Sequence, residues 1–479
     1  MLTSFRIRVD NSPSIERRRF ILGVLFLAGF GAAVLSLLAP RVVFAGESAR
    51  QSHLVNLASR AFDSNPETAA SAVQEIRALG PQGFEYLLQK YAPEVAQLMR
   101  VPSRERSNFL NRLSSILASV AGQKDSYASR LFWHTDFAQA KKEAQLLHHP
   151  ILSLRLLGRL DEDLSCANSR FFRTLIYPNS KVSQYLRQNY VLHWESVRPV
   201  PVATIDFGDG RILKKPLTGN SVHYVFDEEG RIVDAIPGLY GPAAFLMALD
   251  RAAEAAKPVV SLDDQVRAEK LSSFHLKEIN RLGNNWRRLV AAAGIPAGQN
   301  SAPVGTDALS WKKIPGQKES NSGFPSAKEA ALLTYRKSIV ELPAINALEN
   351  IGTSEKNSRR TAPPIDEETL LKLAASNLSL AEIDQTALRL VLLKAPTENR
   401  PNLRYKIVRE LAADSVQNEY VFHFIVHSWL SQRPLVSEKE LTKKIYSELF
   451  KTPSEDPWLG LHDPMTFSAL DEGQVILQK

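Results

Sequence analysis

The run Pro150-Ile151-Leu152-Ser153-Leu154-Arg155-Leu156-Leu157, followed at a short distance by Ser165-Cys166-Ala167-Asn168-Ser169, decides how this chain is read. Six of the eight residues from 150 to 157 are apolar side chains or proline, a density that predicts a buried strand. A helical pattern over 136–147 leads into it. The Cys-bearing loop opens a second helix through Ile176, and after Asn179 a third, short helix runs to Arg187. Tyr190-Val191-Leu192-His193-Trp194-Glu195-Ser196-Val197 predicts the next strand. Two further extended segments, 221–226 and 231–235, flank Asp227-Glu228-Glu229-Gly230, a hairpin turn with glycine where a positive φ is needed. A helix over 242–256 closes the unit, so residues 131–256 are expected to form one α+β domain.

The flanking segments read differently. At 479 residues the chain exceeds one compact core. In 46–130, Val73, Ile76 and Leu79, then Phe84, Leu87 and Leu88, with Gly80-Pro81 between, predict two amphipathic helices joined by a tight turn. This pair resembles a HEAT-type repeat, and a simple helical bundle serves equally well. Residues 257–296 form a helical extension with one helix over 271–289. The stretch 297–326, rich in Gly, Pro, Ser, Asn and Lys, predicts a flexible linker, and 327–365 holds a helix and a second polar break. Helical periodicity returns in a C-terminal module, 366–479, over 370–375, 380–393, 403–429 and 438–450.

Composition removes several function classes. Hydrophobic residues at 44% and charged residues at 23% require a packed core and exclude a disordered, collagenous or polytopic membrane chain. The net charge is +8, but Arg6, Arg8, Arg17, Arg18, Arg19 and Arg41 against Asp10 and Glu16 put half of it in residues 1–45. The remaining basic residues are interleaved with acids, which leaves no nucleic-acid footprint. A single cysteine, Cys166, excludes an intramolecular disulfide, a Cys-rich zinc module, an iron–sulfur cluster held by one chain and a two-cysteine redox centre.

Residues 1–45 predict a signal peptide. Arg17, Arg18 and Arg19 precede an uncharged stretch over 20–40, and Val43-Phe44-Ala45 before Gly46 fits a signal-peptidase site. Glu16-Arg17-Arg18-Arg19-Phe20-Ile21 resembles the twin-arginine pattern. The alternative is an uncleaved anchor, because about 20 apolar residues span a bilayer core. Either way the arginines hold the N-terminus in the cytoplasm. The rest is expected in the periplasm or otherwise outside the cytoplasm, anchored in the inner membrane if the leader is retained.

The order helix, strand, Cys-bearing loop, helix, strand, hairpin, helix resembles the thioredoxin-like superfamily. Trp133-His134-Thr135-Asp136-Phe137 and the residues through Ala144 resemble the helix before the first strand in exported thioredoxin-like proteins, and Cys166-Ala167-Asn168-Ser169 lies where that superfamily carries C-x-x-C. The resemblance covers about a quarter of the chain and implies a thioredoxin-like α/β/α domain flanked by an N-terminal helical region and a C-terminal helical module. Two positions depart from the family. Ser169 replaces the second cysteine, giving a monothiol C-x-x-S variant, and Ser221 stands where a cis-proline is usual. The words SCANSRFFR, HWESVRPVP, TGNSVHYVFDEEG and PGLYGP are similar to a recurring set in poorly characterised bacterial exported proteins. No cofactor is implied.

Cys166 is the first chemical candidate, with Ser169 beside it. At a strand end and helix start, unpaired N–H groups favour a thiolate, and a monothiol there attacks disulfides but does not resolve the adduct alone, as in C-x-x-S glutaredoxins. The competing reading is a buried, inert thiol. Glu195 and Arg198 end the second parallel strand while Asn220 and Ser221 enter the third, so these four are expected at the sheet edge where ligands gather. His223 lies two residues beyond Ser221, as a base for Cys166 or as a satisfied core histidine. Glu419, His423 and His427 are spaced by four on one expected helix and could meet one metal ion, but apolar Phe422, Phe424 and Ile425 among them favour core histidines, and no metal site is assigned. His148-His149 reads as a surface pair with no close carboxylate. Nucleotide-binding and hydrolase motifs are absent from the sequence. Two functions follow. The first is monothiol redox or thiol capture through Cys166 on a thiol or disulfide substrate; the second is a non-catalytic binding or scaffold protein with a protein partner and a redox-inactive thioredoxin-like domain.

Overall fold

The computed structural model describes residues 50–217, 220–295, 309–311, 365, 367–394 and 402–454. The chain divides into a unit over 1–56, whose described residues are helical, and a unit over 57–479 that holds the elements below.

Helices α1 (Pro66–Ala78) and α2 (Pro81–Lys90) meet at Gly80, and α3 (Asn108–Ala121) packs across them. Asn65 caps α1 by accepting from the Glu67 and Thr68 amides at 2.8 and 3.3 Å, and Ser107 caps α3. Ile76, Phe84, Leu87, Leu113 and Leu117 bury a small core between them. Arg77 donates to the carbonyl of Val120 within the bundle at 2.6 Å and to that of Trp133 beyond it at 2.8 Å.

Next come α4 (Phe137–Leu147), β1 (Ile151–Leu157), α5 (Ala167–Phe171), α6 (Ser180–Asn189) and β2 (Val191–Arg198). A π-helical turn, Phe172–Ile176, continues α5. A separate two-stranded ribbon follows, β3 (Val202–Asp206) and β4 (Ile212–Pro216), before β5 (Val222–Phe226), β6 (Ile232–Pro237) and α7 (Pro242–Ala256). The main sheet runs β2-β1-β5-β6, with β1 and β2 parallel and the other pairs antiparallel. The chain is therefore α+β. Gly230 sits at φ 77° in the β5–β6 turn, as the sequence requires.

Every residue of β1, β5 and β6 is buried, so both faces of the sheet need cover. Alternate residues of β5 show where it comes from. His223 turns to the rings of Phe172 and Phe245, at 4.4 and 5.0 Å, while the Tyr224 hydroxyl lies 2.9 Å from Thr442 Oγ1. Thr442 belongs to the C-terminal set of helices: α8 (Asp264–Ala292), α9 (Glu367–Ala375), α10 (Gln385–Lys394), α11 (Leu403–Gln417), α12 (Phe424–Gln432) and α13 (Glu438–Lys444). One apolar core runs from Leu131 to Phe450. At Gly238, φ 82°, a Cβ atom would sit 2.3 Å from the Asn418 side chain, which itself donates to the Leu239 carbonyl at 2.7 Å.

Three local differences from the sequence reading have physical reasons. The helix expected over 380–393 starts only at Gln385, because Asp384 accepts from the Ala387 amide at 2.9 Å and caps a new helix. The ribbon was not anticipated, although Asp209-Gly210 between alternating apolar residues is a hairpin signal. Within 297–326, the described residues 309–311 are docked: the Leu309 carbonyl accepts from Ser428 and Gln432 at 2.9 and 2.7 Å, and Trp311 lies edge-on to Trp429.

The β5–β6 turn is fastened to α8 by charge. Arg267 Nη1 donates to Asp227 Oδ2 at 2.7 Å and to the Val259 carbonyl at 2.9 Å, and Nη2 donates to the Ile232 carbonyl at 2.9 Å. Both side chains of this pair are at most 1% exposed. Removing one partner leaves the other charged and buried, although Arg231 also reaches Asp227 at 3.1 Å. Arg267→Met is expected to lower the unfolding free energy in urea by about 3 kcal/mol at an unchanged m-value. A loss below about 1 kcal/mol would show that the pair is not integral to the fold.

Candidate functional site

Cys166 is the N-cap residue of α5, at the end of the loop that follows β1, and is 0% exposed. Its backbone N–H donates to the Leu157 carbonyl at 3.0 Å and its S–H to Ser169 Oγ at 3.4 Å. Ser169 Oγ also lies 2.8 Å from Ser165 Oγ and from the Cys166 carbonyl, so the third position after the cysteine is a hydrogen-bonding hub. Asn168 Nδ2 donates to Asn220 Oδ1 at 2.9 Å, which brings the entry to β5 against the cysteine loop. Over this assembly lies Tyr446, from the π-helical turn Ile445–Leu449 that follows α13. Its hydroxyl is 3.0 Å from the Arg155 carbonyl and 3.1 Å from that of Asn220. Burial pushes the Tyr446 phenol well above its usual range, with the Cys166 side chain adding to the shift.

The other residues expected at this edge have separate tasks. Glu195 is exposed and pairs with buried Arg155 at 3.2 Å; Arg155 also bonds Glu438 at 2.9 Å and so ties β1 and β2 to α13. The Arg198 carbonyl accepts from Gly158 N–H at 2.9 Å, and its guanidinium charge acts on Tyr446. Ser221 is buried and its carbonyl accepts from Gly238 N–H at 2.8 Å. His223 Nε2 is 2.7 Å from the Tyr177 hydroxyl, so the ring's partner is a phenol and the thiol's is Ser169. Cysteine, Ser169 and Asn220 are thus brought together, whereas Glu195 is engaged on the surface.

The second cluster differs from the one the spacing implied. His423 and His427 are stacked, with ring centroids 4.0 Å apart, but Glu419 turns to Arg281 and Arg251 at 3.4 and 3.7 Å. Glu419 lies in the π-helical turn Asn418–His423 between α11 and α12, and its carboxylate is taken up by Arg251 of α7 and Arg281 of α8. Asp234 of β6 supplies the carboxylate instead, 3.1 Å from His423 Nε2 and 3.7 Å from His427 Nδ1. His275 of α8 completes the group, its Nδ1 lying 2.9 Å from His427 Nδ1. Two signals were present in the sequence: Asp234 interrupts the apolar run Ile232-Val233-Asp234-Ala235-Ile236, and His275 falls in the buried stripe Leu271, Leu282, Trp286 of α8. His148 is exposed and meets Glu228 at 3.2 Å, so it does have a carboxylate partner.

No family model, curated protein or solved structure matches the chain. Among the described residues, no helix is long and apolar enough to cross a membrane.

Buried histidines make the site sensitive to acid. Burial pushes His223 down to about 3 from the usual 6.5, and burial together with the Arg155 charge does the same to His193, whose Nδ1 accepts from Ser153 at 2.7 Å. The unfolded chain binds protons at these rings below about pH 6.5 and the folded chain does not, so stability falls as pH drops from about 6.5 toward about 3. The urea midpoint is expected to decline steadily from pH 7 to pH 4, and His223→Leu should make that decline shallower. A midpoint independent of pH over this range would contradict the assignment of neutral buried rings.

Proposed function

We propose that this chain is an exported binding or scaffold protein built on a thioredoxin-like core whose cysteine has a packing role. The observation that carries this is the environment of Cys166: fully buried, hydrogen-bonded to the serine that stands in place of a second thiol, and set in a loop whose neighbour Asn220 is bonded through its carbonyl by Tyr446. A thiol acting on a disulfide needs an open approach to sulfur and a thiolate in solvent reach, and both are denied here. Support for the thioredoxin-like core comes from the parallel β1–helix–β2 half followed by the antiparallel β5–β6–α7 half, the order read from the sequence. Support for export comes from Arg17-Arg18-Arg19 and the uncharged stretch behind them, which lie outside the described residues.

The β3–β4 ribbon favours a binding role. Ile205 and Leu213 are cross-strand partners, 44% and 41% exposed, and Phe207 at 52% extends the same side. An apolar pair held out on a ribbon that, among the described residues, joins no other strand is a recognition feature rather than a core element.

Thiol labelling separates this proposal from monothiol catalysis. In the folded protein Cys166 is expected to resist a maleimide and to form no mixed adduct with glutathione disulfide, and to label fully in urea. Labelling of the folded chain faster than a free-cysteine control would overturn the packing role and restore the monothiol reading.

A further inference from the structure

We propose that Asp234, His423 and His427 form a buried binding site for one divalent transition-metal ion of the zinc class, which fastens the C-terminal helices to the edge of the sheet. The proposal stands independently of the thiol chemistry.

The geometry comes first. Donor atoms of Asp234, His423 and His427 all lie within 4.8 Å of one another. Four donors about 2.1 Å from a tetrahedral ion are separated by roughly 3.4 Å. The separations here are 3.1 Å from His423 Nε2 to Asp234 Oδ2, 3.7 Å from His427 Nδ1 to Asp234 Oδ1, and 2.9 Å from His275 Nδ1 to His427 Nδ1. The two separations to Asp234 bracket the expected edge, while His275 is held on His427 Nδ1 beside the three converging donors. All four residues are at most 1% exposed, and the three donors come from β6 and the α11–α12 junction.

Charge points the same way. Among the described residues, the ion-pair partners of the Asp234 carboxylate are His423 and His427, with no Lys or Arg. The nearest guanidinium groups, Arg251 and Arg281, are held by Glu278 at 3.0 and 2.8 Å and by Glu419. Burial pushes His423 down to about 3 and His275 to about 4, and drives His427 in the same direction. The rings are therefore neutral, which is the ligating form, and supply no cation to the carboxylate. A dication at the centre of these donors would meet a carboxylate that no ammonium or guanidinium pairs among the described residues.

The donor set selects the ion. Two imidazoles and one carboxylate suit zinc and its neighbours; calcium and magnesium require mainly oxygen ligands. These donors, away from solvent, supply three of four tetrahedral positions, with the His275 ring beside them on His427. His423 Nδ1 and His427 Nε2 have no hydrogen-bond partner among the described residues, so the polar contacts of both rings are all directed into the cluster.

The test uses the full chain, stripped with a chelator and titrated with Co2+ and then Zn2+ alone. The expected result is one equivalent of Co2+ with the intense visible bands of four-coordination, displaced by Zn2+, and a Tm that rises with Zn2+. Asp234→Asn and His427→Gln should each abolish the spectrum, while His148→Ala, at an exposed ring, should keep it. Bands that survive Asp234→Asn and His427→Gln would overturn the assignment. Should those variants fail to fold, the wild-type chain still decides: absence of the Co2+ bands at one equivalent and a Tm unmoved by Zn2+ would sink the proposal.

Discussion

A sheet whose central strands are buried at every residue has no solvent face to spare, and the rest of this molecule answers that constraint. Helices α5 to α7 cover the side to which His223 points. The side of Tyr224 is met from the far end of the chain, at Thr442. The α11–α12 junction packs against β6, where His423 meets the Asp234 side chain and Asn418 donates to the Leu239 carbonyl just beyond the strand. Covering a sheet with segments two hundred residues away makes the core non-local, and a non-local core is the slow kind to assemble.

This explains what the sequence disclosed and what it withheld. The main-sheet strands and α7 were legible because apolar runs, the Asp227–Gly230 turn and the Pro242 helix start are local signals. The hub at Cys166, Ser169 and Asn220 was legible in part, since chain order alone places those residues at one sheet end. Tyr446 was not legible. Nothing in residues 438–450 announces that its hydroxyl bonds the Asn220 carbonyl, because that contact spans 226 positions. Glu419 misled for a different reason: its carboxylate is taken up by Arg251 and Arg281, partners that the spacing of residues 419, 423 and 427 does not announce.

The two polar clusters in the core contrast instructively. At Cys166 each group finds a small neutral partner, so the cluster closes on itself with no charge left over. At Asp234 a carboxylate is surrounded by imidazoles that burial disfavours in their charged form, and His423 Nδ1 and His427 Nε2 find no partner among the described residues. A polar atom in a low-dielectric interior is costly unless it is paired. The first cluster pairs its groups among themselves and the second leaves ring atoms over.

The π turns deserve to be seen as phase adjusters. Three of them carry Phe172 against His223, Asn418 against Leu239 and Tyr446 against Arg155. Each α-helical residue advances the azimuth by about 100°, so one residue gained or lost in such a turn rotates everything beyond it by that angle relative to everything before. At Asn418–His423 the inserted residue lets one continuous helix aim its first half at Leu239 and its second half at Asp234. The helix behaves like a shaft with a keyed coupling, and its two ends mesh with different parts of the sheet only at this setting.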